Sequence, residues 1–191
     1  MIDQIYPPSE DSELLLEAAL QEVRMEDDVL EVGIGSGFVS SQLLDICRSL
    51  VGTDISPLAV KAAKKKGVEV LRTQFARGIG KSFSLILFNP PYLELDEREK
   101  VEKSDKGEKG VSEDWMRKAI DGGKNGTETI SRFLSEIKDV LAPEGRIILI
   151  VSSINFPYIE QEIKNHEFSY QTLLKKRVFF EELYALKLYP N

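Results

Sequence analysis

Short apolar runs recur along the chain at Val29 to Gly33, Ser49 to Asp54, Val68 to Thr73, Ser84 to Asn89 and Arg146 to Ser152. Several are apolar throughout, as strands buried on both faces are. Stretches of helical character separate them, and the alternation predicts a mainly parallel sheet covered by helices, an α/β fold. Ser9 suits the N-cap of the first helix, with Glu10 and Asp11 in its positive first turn and Leu14, Leu15, Ala18 and Ala19 as its apolar face. A second helix over Ser56 to Lys66 stops at Gly67. After Ser152 the rhythm changes. A helix near Pro157 to Asn165 precedes two extended runs, Thr172 to Phe179 and Leu183 to Tyr189. Only Phe180, Glu181 and Glu182 lie between those runs, too few for a helical crossover, so they pair as an antiparallel hairpin.

No internal repeat interrupts this order, and 191 residues suit one domain spanning 1–191. With 42% hydrophobic and 30% charged residues, the chain has a globular rather than a disordered or fibrous balance. No run of about 18 apolar residues occurs, and Met1-Ile2-Asp3-Gln4 lacks the layout of a signal peptide, so a cytoplasmic protein is expected. Cys47 is the only cysteine and His166 the only histidine, which excludes a Cys/His metal cluster, an internal disulfide and a Cys-His dyad. Cys47 is expected as a small core residue on the helix after the first strand, and His166 on the surface near a helix end. The net charge of -7 opposes a general affinity for phosphate backbones. The segment 94–118 is densely charged with both signs mixed, as a solvated loop is. Trp115 within it is either an anchor for that loop or part of a protein-binding surface.

Two segments carry chemistry. The run Leu30-Glu31-Val32-Gly33-Ile34-Gly35-Ser36-Gly37 follows the first strand and is expected to open a helix, so the backbone turns tightly and can approach a ligand. Gly37 lies two residues after Gly35, one short of the dinucleotide fingerprint, which argues against a nicotinamide site. Asp54 ends the second strand about twenty residues on, where a carboxylate can accept both ribose hydroxyls. These residues resemble the class I S-adenosyl-L-methionine-dependent methyltransferases, with a Glu-x-Gly-x-Gly-x-Gly motif and an acid after the second strand. The resemblance implies a Rossmann-like, mainly parallel seven-stranded sheet with an antiparallel C-terminal hairpin. Glu31, Gly33 and Gly35 then serve the methionine part of the cofactor and Asp54 with Ile55 its ribose side.

The second segment, Asn89-Pro90-Pro91-Tyr92, ends the fourth strand at the edge where open α/β sheets bind ligands. Its prolines stiffen the backbone and leave carbonyls without neighbouring amide donors. A planar amide or aminopurine nitrogen is a poor nucleophile because its lone pair is delocalised. The Asn89 side-chain oxygen and the Pro90 carbonyl can accept its two N–H bonds and aim it at an electrophilic methyl group, with Tyr92 stacking on the plane.

Together with Tyr6-Pro7-Pro8-Ser9-Glu10-Asp11-Ser12 and Gly122-Gly123-Lys124-Asn125-Gly126, these motifs resemble the short archaeal and eukaryotic branch of the HemK/PrmC family. Members methylate the glutamine of the Gly-Gly-Gln motif in class 1 translation termination factors. The resemblance places Tyr6 and Ser12 beside the cofactor and Gln74 and Phe75 beside its adenine, with S-adenosyl-L-homocysteine as product. It also implies a small zinc-binding activator subunit and no N-terminal helical domain before Glu31. Gln74 and Ser84 stand where the family commonly has aspartates. Gly122 to Gly126 is either a flexible lead-in to a helix capped by Thr127 or a substrate contact. Two alternatives stay open: an adenine-N6 methyltransferase acting on DNA or RNA, and a non-catalytic cofactor-binding scaffold.

Overall fold

The computed structural model describes residues 7–92 and 121–191. Tyr6, the charged segment 94–118 and Trp115 lie outside the described residues. Among those described, seven strands form one sheet: β1 Asp28–Val32, β2 Ser49–Asp54, β3 Glu69–Arg72, β4 Phe83–Phe88, β5 Leu141–Ser152, β6 Phe168–Val178 and β7 Glu181–Pro190. Their order is β3-β2-β1-β4-β5-β7-β6. Neighbours from β3 to β5 pair in parallel, whereas β7 runs antiparallel to both β5 and β6. The expected class I architecture, hairpin included, is therefore present.

Side chains alternate across the central strands and so feed two cores. Val29, Leu85, Leu87, Ile148 and Ile150 join Leu14, Leu15, Ala18 and Ala19 of helix α1 (Glu10–Glu22) and Ala63 of helix α2 (Pro57–Lys65). Leu30, Ile86, Phe88, Ile147 and Leu149 meet Ile130, Phe133, Leu134 and Ile137 of helix α3 (Glu128–Ile137) and Ile159 and Ile163 of helix α4 (Phe156–Asn165). No helix among the described residues is long and apolar enough to cross a membrane.

Three local expectations are corrected. Ser9 occupies the N-cap of α1, but its hydroxyl donates to Asp11 Oδ1 at 2.8 Å instead of accepting a first-turn amide. The glycine loop does not open an α-helix: Ser40–Gln42 form a single 3-10 turn, followed by further turns. Polar side chains compete there for the backbone, with Ser41 Oγ and Gln42 Nε2 both donating to the Phe38 carbonyl and Cys47 Sγ to that of Leu43. Cys47 is consequently a half-buried turn residue packed against the core, not a helical one. Strand β6 ends at Val178 and β7 already begins at Glu181, so the hairpin turn is Phe179-Phe180 and not the expected Phe180-Glu181-Glu182.

At the amino ends of the strands a buried ion pair ties four elements together. The Arg146 guanidinium on β5 donates to both oxygens of Asp27, at 3.0 and 2.7 Å, and to the carbonyls of Ser84 and Glu22. Burial acts to raise the Asp27 pKa, but the guanidinium, Ser84 Oγ at 2.7 Å and the Arg24 amide outweigh it and hold the carboxyl below its usual range. Ser84 also accepts from the Asp28 amide at 3.1 Å, so this residue is a brace at the end of the sheet remote from Asn89. Asp27→Ala would leave the buried guanidinium with Glu22, 3.4 Å from its Nε, as its remaining carboxylate, and the expected loss in a denaturant titration is about 3 kcal/mol. A loss below about 1 kcal/mol would show that water reaches Arg146 in the folded state.

Candidate functional site

The strand register sets the site. Val32 lies level with Thr53 on one side and Phe88 on the other. The next residues, Gly33, Asp54 and Asn89, therefore leave three adjacent parallel strands at one level. The sheet order reverses between β1 and β4, which opens a crevice at these carboxyl ends. Helix α1 begins at the same edge, because Glu13 pairs with Lys176 near the hairpin turn while Glu22 pairs with Lys187 toward the opposite end.

Gly33 and Gly35 have φ of +64° and +54°, left-handed conformations that a side chain would strain. Their loop is held by Asp54, whose Oδ2 accepts the Gly35 amide at 3.0 Å and whose Oδ1 accepts the Ser56 amide at 2.8 Å. Each oxygen retains a second lone pair, which suits a vicinal diol. Burial raises the Asp54 pKa and the backbone amides lower it, with a net rise. Ile55 beside it is 39% exposed, an apolar surface at the mouth of the crevice.

Glu31 is buried and accepts the backbone amide of Ser40 at 2.9 Å as well as the Ser40 hydroxyl. Burial pushes its pKa up to about 7, the Ser40 bonds oppose the rise and the negative charge of Asp54 adds to it. Two carboxylates thus flank the glycine loop in a poorly hydrated setting, an environment that favours a cationic ligand.

Asn89 Oδ1 is buried and has no hydrogen-bond partner among the described residues. The segment that carries it is braced from behind. Asn155, itself buried, donates from Nδ2 to the Tyr92 carbonyl at 2.9 Å and to the Gly126 carbonyl at 3.4 Å. A Cβ on Gly126 would stand 2.2 Å from the Tyr92 carbonyl oxygen, and one on Gly122 would stand 2.8 Å from that of Pro91. The Gly122–Gly126 segment therefore packs against the backbone of the proline motif, and Thr127 makes no side-chain cap at α3. The Tyr92 side chain rests partly buried on the α1-side core.

The remaining expected residues are placed unequally. Ser12 lies in the first turn of α1, its amide and hydroxyl both directed at Asp11 Oδ1. Gln74 is half-buried beyond β3. The ring of Phe75 is buried in the core, edge-on to Phe88 and Phe133 at centroid distances of 6.1 and 5.9 Å. His166 caps α4 and sits 3.1 Å from Ser131 Oγ, stitching α4 to α3. Sequence reasoning missed Asn155 and Ser40. Nothing in their spacing marks either, since Asn155 is brought to Tyr92 by the fold alone.

Comparison with known proteins agrees with this geometry. The Methyltransferase domain family matches residues 30–85, which span the glycine loop, Asp54 and the first half of β4. A putative protein N5-glutamine methyltransferase of Methanocaldococcus jannaschii is 32% identical over 96% of this chain and 90% of its own length. The chain belongs to the HemK-type family of protein N5-glutamine methyltransferases. Methyltransferase HEMK2 of Homo sapiens is 31% identical, covering 96% of this chain and 88% of the human protein. In structure, the Mtq2-Trm112 complex of E. cuniculi, described as responsible for methylating the eRF1 translation termination factor, superposes with a TM-score of 0.75. That match has 23% identity and covers 98% of this chain and 99% of the other. A catalytic member of this family, rather than a scaffold, accounts for the intact crevice.

Two predictions arise from the site. Because the folded-state pKa of Glu31 is raised from 4.5 to about 7, the folded ligand-free protein binds more protons than the unfolded chain between those values. Its stability relative to Glu31→Gln should fall as pH rises through that window, by on the order of 3 kcal/mol, and level off above it. Urea titrations of both proteins from pH 4 to 8 measure the difference, and a constant difference would place Glu31 in contact with water. The second concerns Gly126→Ala, whose new Cβ must displace the Tyr92 carbonyl. Turnover should fall by roughly 10²-fold, the scale for a misplacement of about 1 Å, while calorimetric cofactor affinity is kept. Undiminished turnover would show that the brace does not position Asn89.

Proposed function

We propose that this protein uses S-adenosyl-L-methionine to methylate the side-chain amide nitrogen of the glutamine in the Gly-Gly-Gln motif of a class 1 translation termination factor. The observation that carries the reading is Asn89 Oδ1, buried and without a partner among the described residues, one strand away from the glycine loop. A primary amide brings two N–H donors, and a buried acceptor left without a donor is costly until one arrives.

When bound, S-adenosyl-L-methionine supplies a methyl group on a positively charged sulfonium and leaves as S-adenosyl-L-homocysteine. Gly33 and Gly35 let the main chain approach its methionine portion, with Glu31 and Ser12 nearby and Tyr6 assigned by family pattern. Asp54 accepts the ribose hydroxyls, Ile55 and Gln74 border the adenine, and Phe75 fixes the floor of that region from the core. Asn89 Oδ1 and the Pro90 carbonyl accept the two amide hydrogens, which orients the nitrogen and localises its lone pair. Tyr92 covers the amide plane. As the new nitrogen–carbon bond forms, the nitrogen releases one proton to solvent, so no histidine base is needed. We further propose that the enzyme works in the cytoplasm with a small zinc-binding activator subunit.

The test supplies labelled cofactor to a termination factor, its Gln→Asn version, a DNA duplex and an RNA, each with and without the activator. Mass spectrometry should find the methyl group on the Gly-Gly-Gln glutamine. Asn89→Ala should lower kcat by about 10²–10³-fold with cofactor affinity unchanged. A rise confined to KM would reduce Asn89 to uniform substrate binding. Robust adenine methylation with the factor untouched would overturn the substrate assignment.

A further inference from the structure

The hairpin turn between β6 and β7 is made of two phenylalanines. Phe179 is 86% exposed and Phe180 102% exposed, and Ile154 close by is 69% exposed. Phe179 also adopts φ of +46°, whereas Phe180 is not left-handed. That pattern belongs to a type II′ turn, whose first position favours glycine. A bulky aromatic there carries backbone strain and gains no burial within the chain to offset it.

The turn is fixed to the catalytic edge. Val178 pairs with Glu181 directly across it. Ser152 Oγ donates to the Glu181 carboxylate. The Ser153 amide donates to the Glu182 carbonyl at 2.8 Å, and the Glu182 amide donates to Ser153 Oγ at 3.0 Å. Two residues after Ser153, Asn155 holds the Tyr92 carbonyl. A short hydrogen-bonded path therefore joins the aromatic tip to the motif that carries Asn89, and the exposed apolar residues stand at the same carboxyl edge of the sheet as the site.

We propose that Phe179, Phe180 and Ile154 form the docking surface for the folded protein that presents its glutamine to Asn89. The inference rests on the protein-substrate reading above. Solvent-exposed aromatics anchored on a rigid turn are effective contacts for a protein surface, where their burial supplies most of the affinity. A stacking platform for single-stranded nucleic acid would need free cations beside the rings. Here Glu181 and Glu182 flank the tip and outnumber Arg177, the exposed cation across from Glu182, while Lys176 is paired with Glu13 at 2.7 Å and Lys175 lies over the Tyr184 ring at 5.0 Å.

The test compares the full-length enzyme with Phe179→Gly/Phe180→Ser, in the presence of the activator subunit. Glycine relieves the left-handed position, so the melting temperature should stay equal or rise, and cofactor affinity should not change. KM for the intact termination factor should increase tenfold or more with kcat unchanged. An unchanged KM in an otherwise active system would overturn the docking surface while leaving the substrate assignment intact. Failure of the wild type to methylate the factor would instead sink the substrate assignment and this surface with it. The surface is also overturned if the double variant abolishes a dimer seen by sedimentation, releases the activator or loses binding to an RNA oligomer, because each outcome gives the tip to another occupant.

Discussion

Everything in the crevice depends on a register of parallel strands in which Val32 is level with both Thr53 and Phe88. Because the period of a strand is two residues, a slip of one position on β4 would turn Asn89 to the other face and exchange the two halves of the core. The apolar runs of β1 and β4 are buried on both faces, so such a slip costs hydrophobic burial only through mismatched packing. Register is therefore pinned from the far end as well. The Arg146–Asp27 pair and Ser84 clamp the amino ends of β4 and β5 and the chain entering β1, and Gly33, Asp54 and Asn89 arrive together at the other end.

The two ends use polar groups in opposite ways. At the amino end, Asp27 and its neighbours exchange hydrogen bonds among themselves, with the Asp27 carboxyl pKa held down. At the carboxyl end, Asn89 Oδ1 has no donor among the described residues and both Glu31 and Asp54 have raised pKa values. Buried polar groups are normally satisfied; among the described residues Arg146 Nε is an exception at the amino end, whereas Thr53 Oγ1, Asn89 Oδ1 and Asn155 Oδ1 gather at the carboxyl end, where a ligand can complete the bonding. The brace of Asn155 and Gly126 separates these roles. It satisfies the carbonyl of Tyr92 and takes no bond from the Asn89 oxygen, which has no partner among the described residues.

Much of this was legible in the sequence because it is local. Apolar runs, the glycine spacing, Asp54 at a strand end and the Asn-Pro-Pro-Tyr segment each need only a short window, and the hairpin followed from a loop too short for a crossover. What escaped detection depends on tertiary approach. Asn155 meets Tyr92 across a separation of 63 residues, and the need for glycine at Gly126 comes from the Tyr92 carbonyl rather than from its own neighbours. The missing helix after the glycine loop had a local cause, the competition of Ser41 and Gln42 side chains for the backbone, which apolar periodicity does not register. Phe75 depends on tertiary approach in the same way: expected beside the adenine, it turns its ring into the core against Phe88 and Phe133, which its sequence neighbours do not register.

The pair Glu31 and Asp54 shows how stability and ligand choice are joined. Glu31 is buried without a cation bonded to it, and the nearby Asp54 charge raises its pKa further, to about 7. Near neutral pH, before any ligand binds, Glu31 therefore carries its negative charge only part of the time, at a cost to the folded state. A ligand that brings positive charge favours full ionisation of Glu31, so its binding releases a proton and relieves that cost. A neutral or anionic ligand of the same shape gains nothing from this linkage and meets the charge of Asp54 unrelieved. Electrostatics thus discriminates for a cationic ligand before any specific contact is made, whereas the uncharged Asn89 oxygen, one strand over, is suited to a neutral amide. On the proposed reading the crevice separates its two chemistries by charge: carboxylates on the β1 and β2 side for the methyl donor, and the Asn89 side-chain oxygen just after β4 for the acceptor nitrogen.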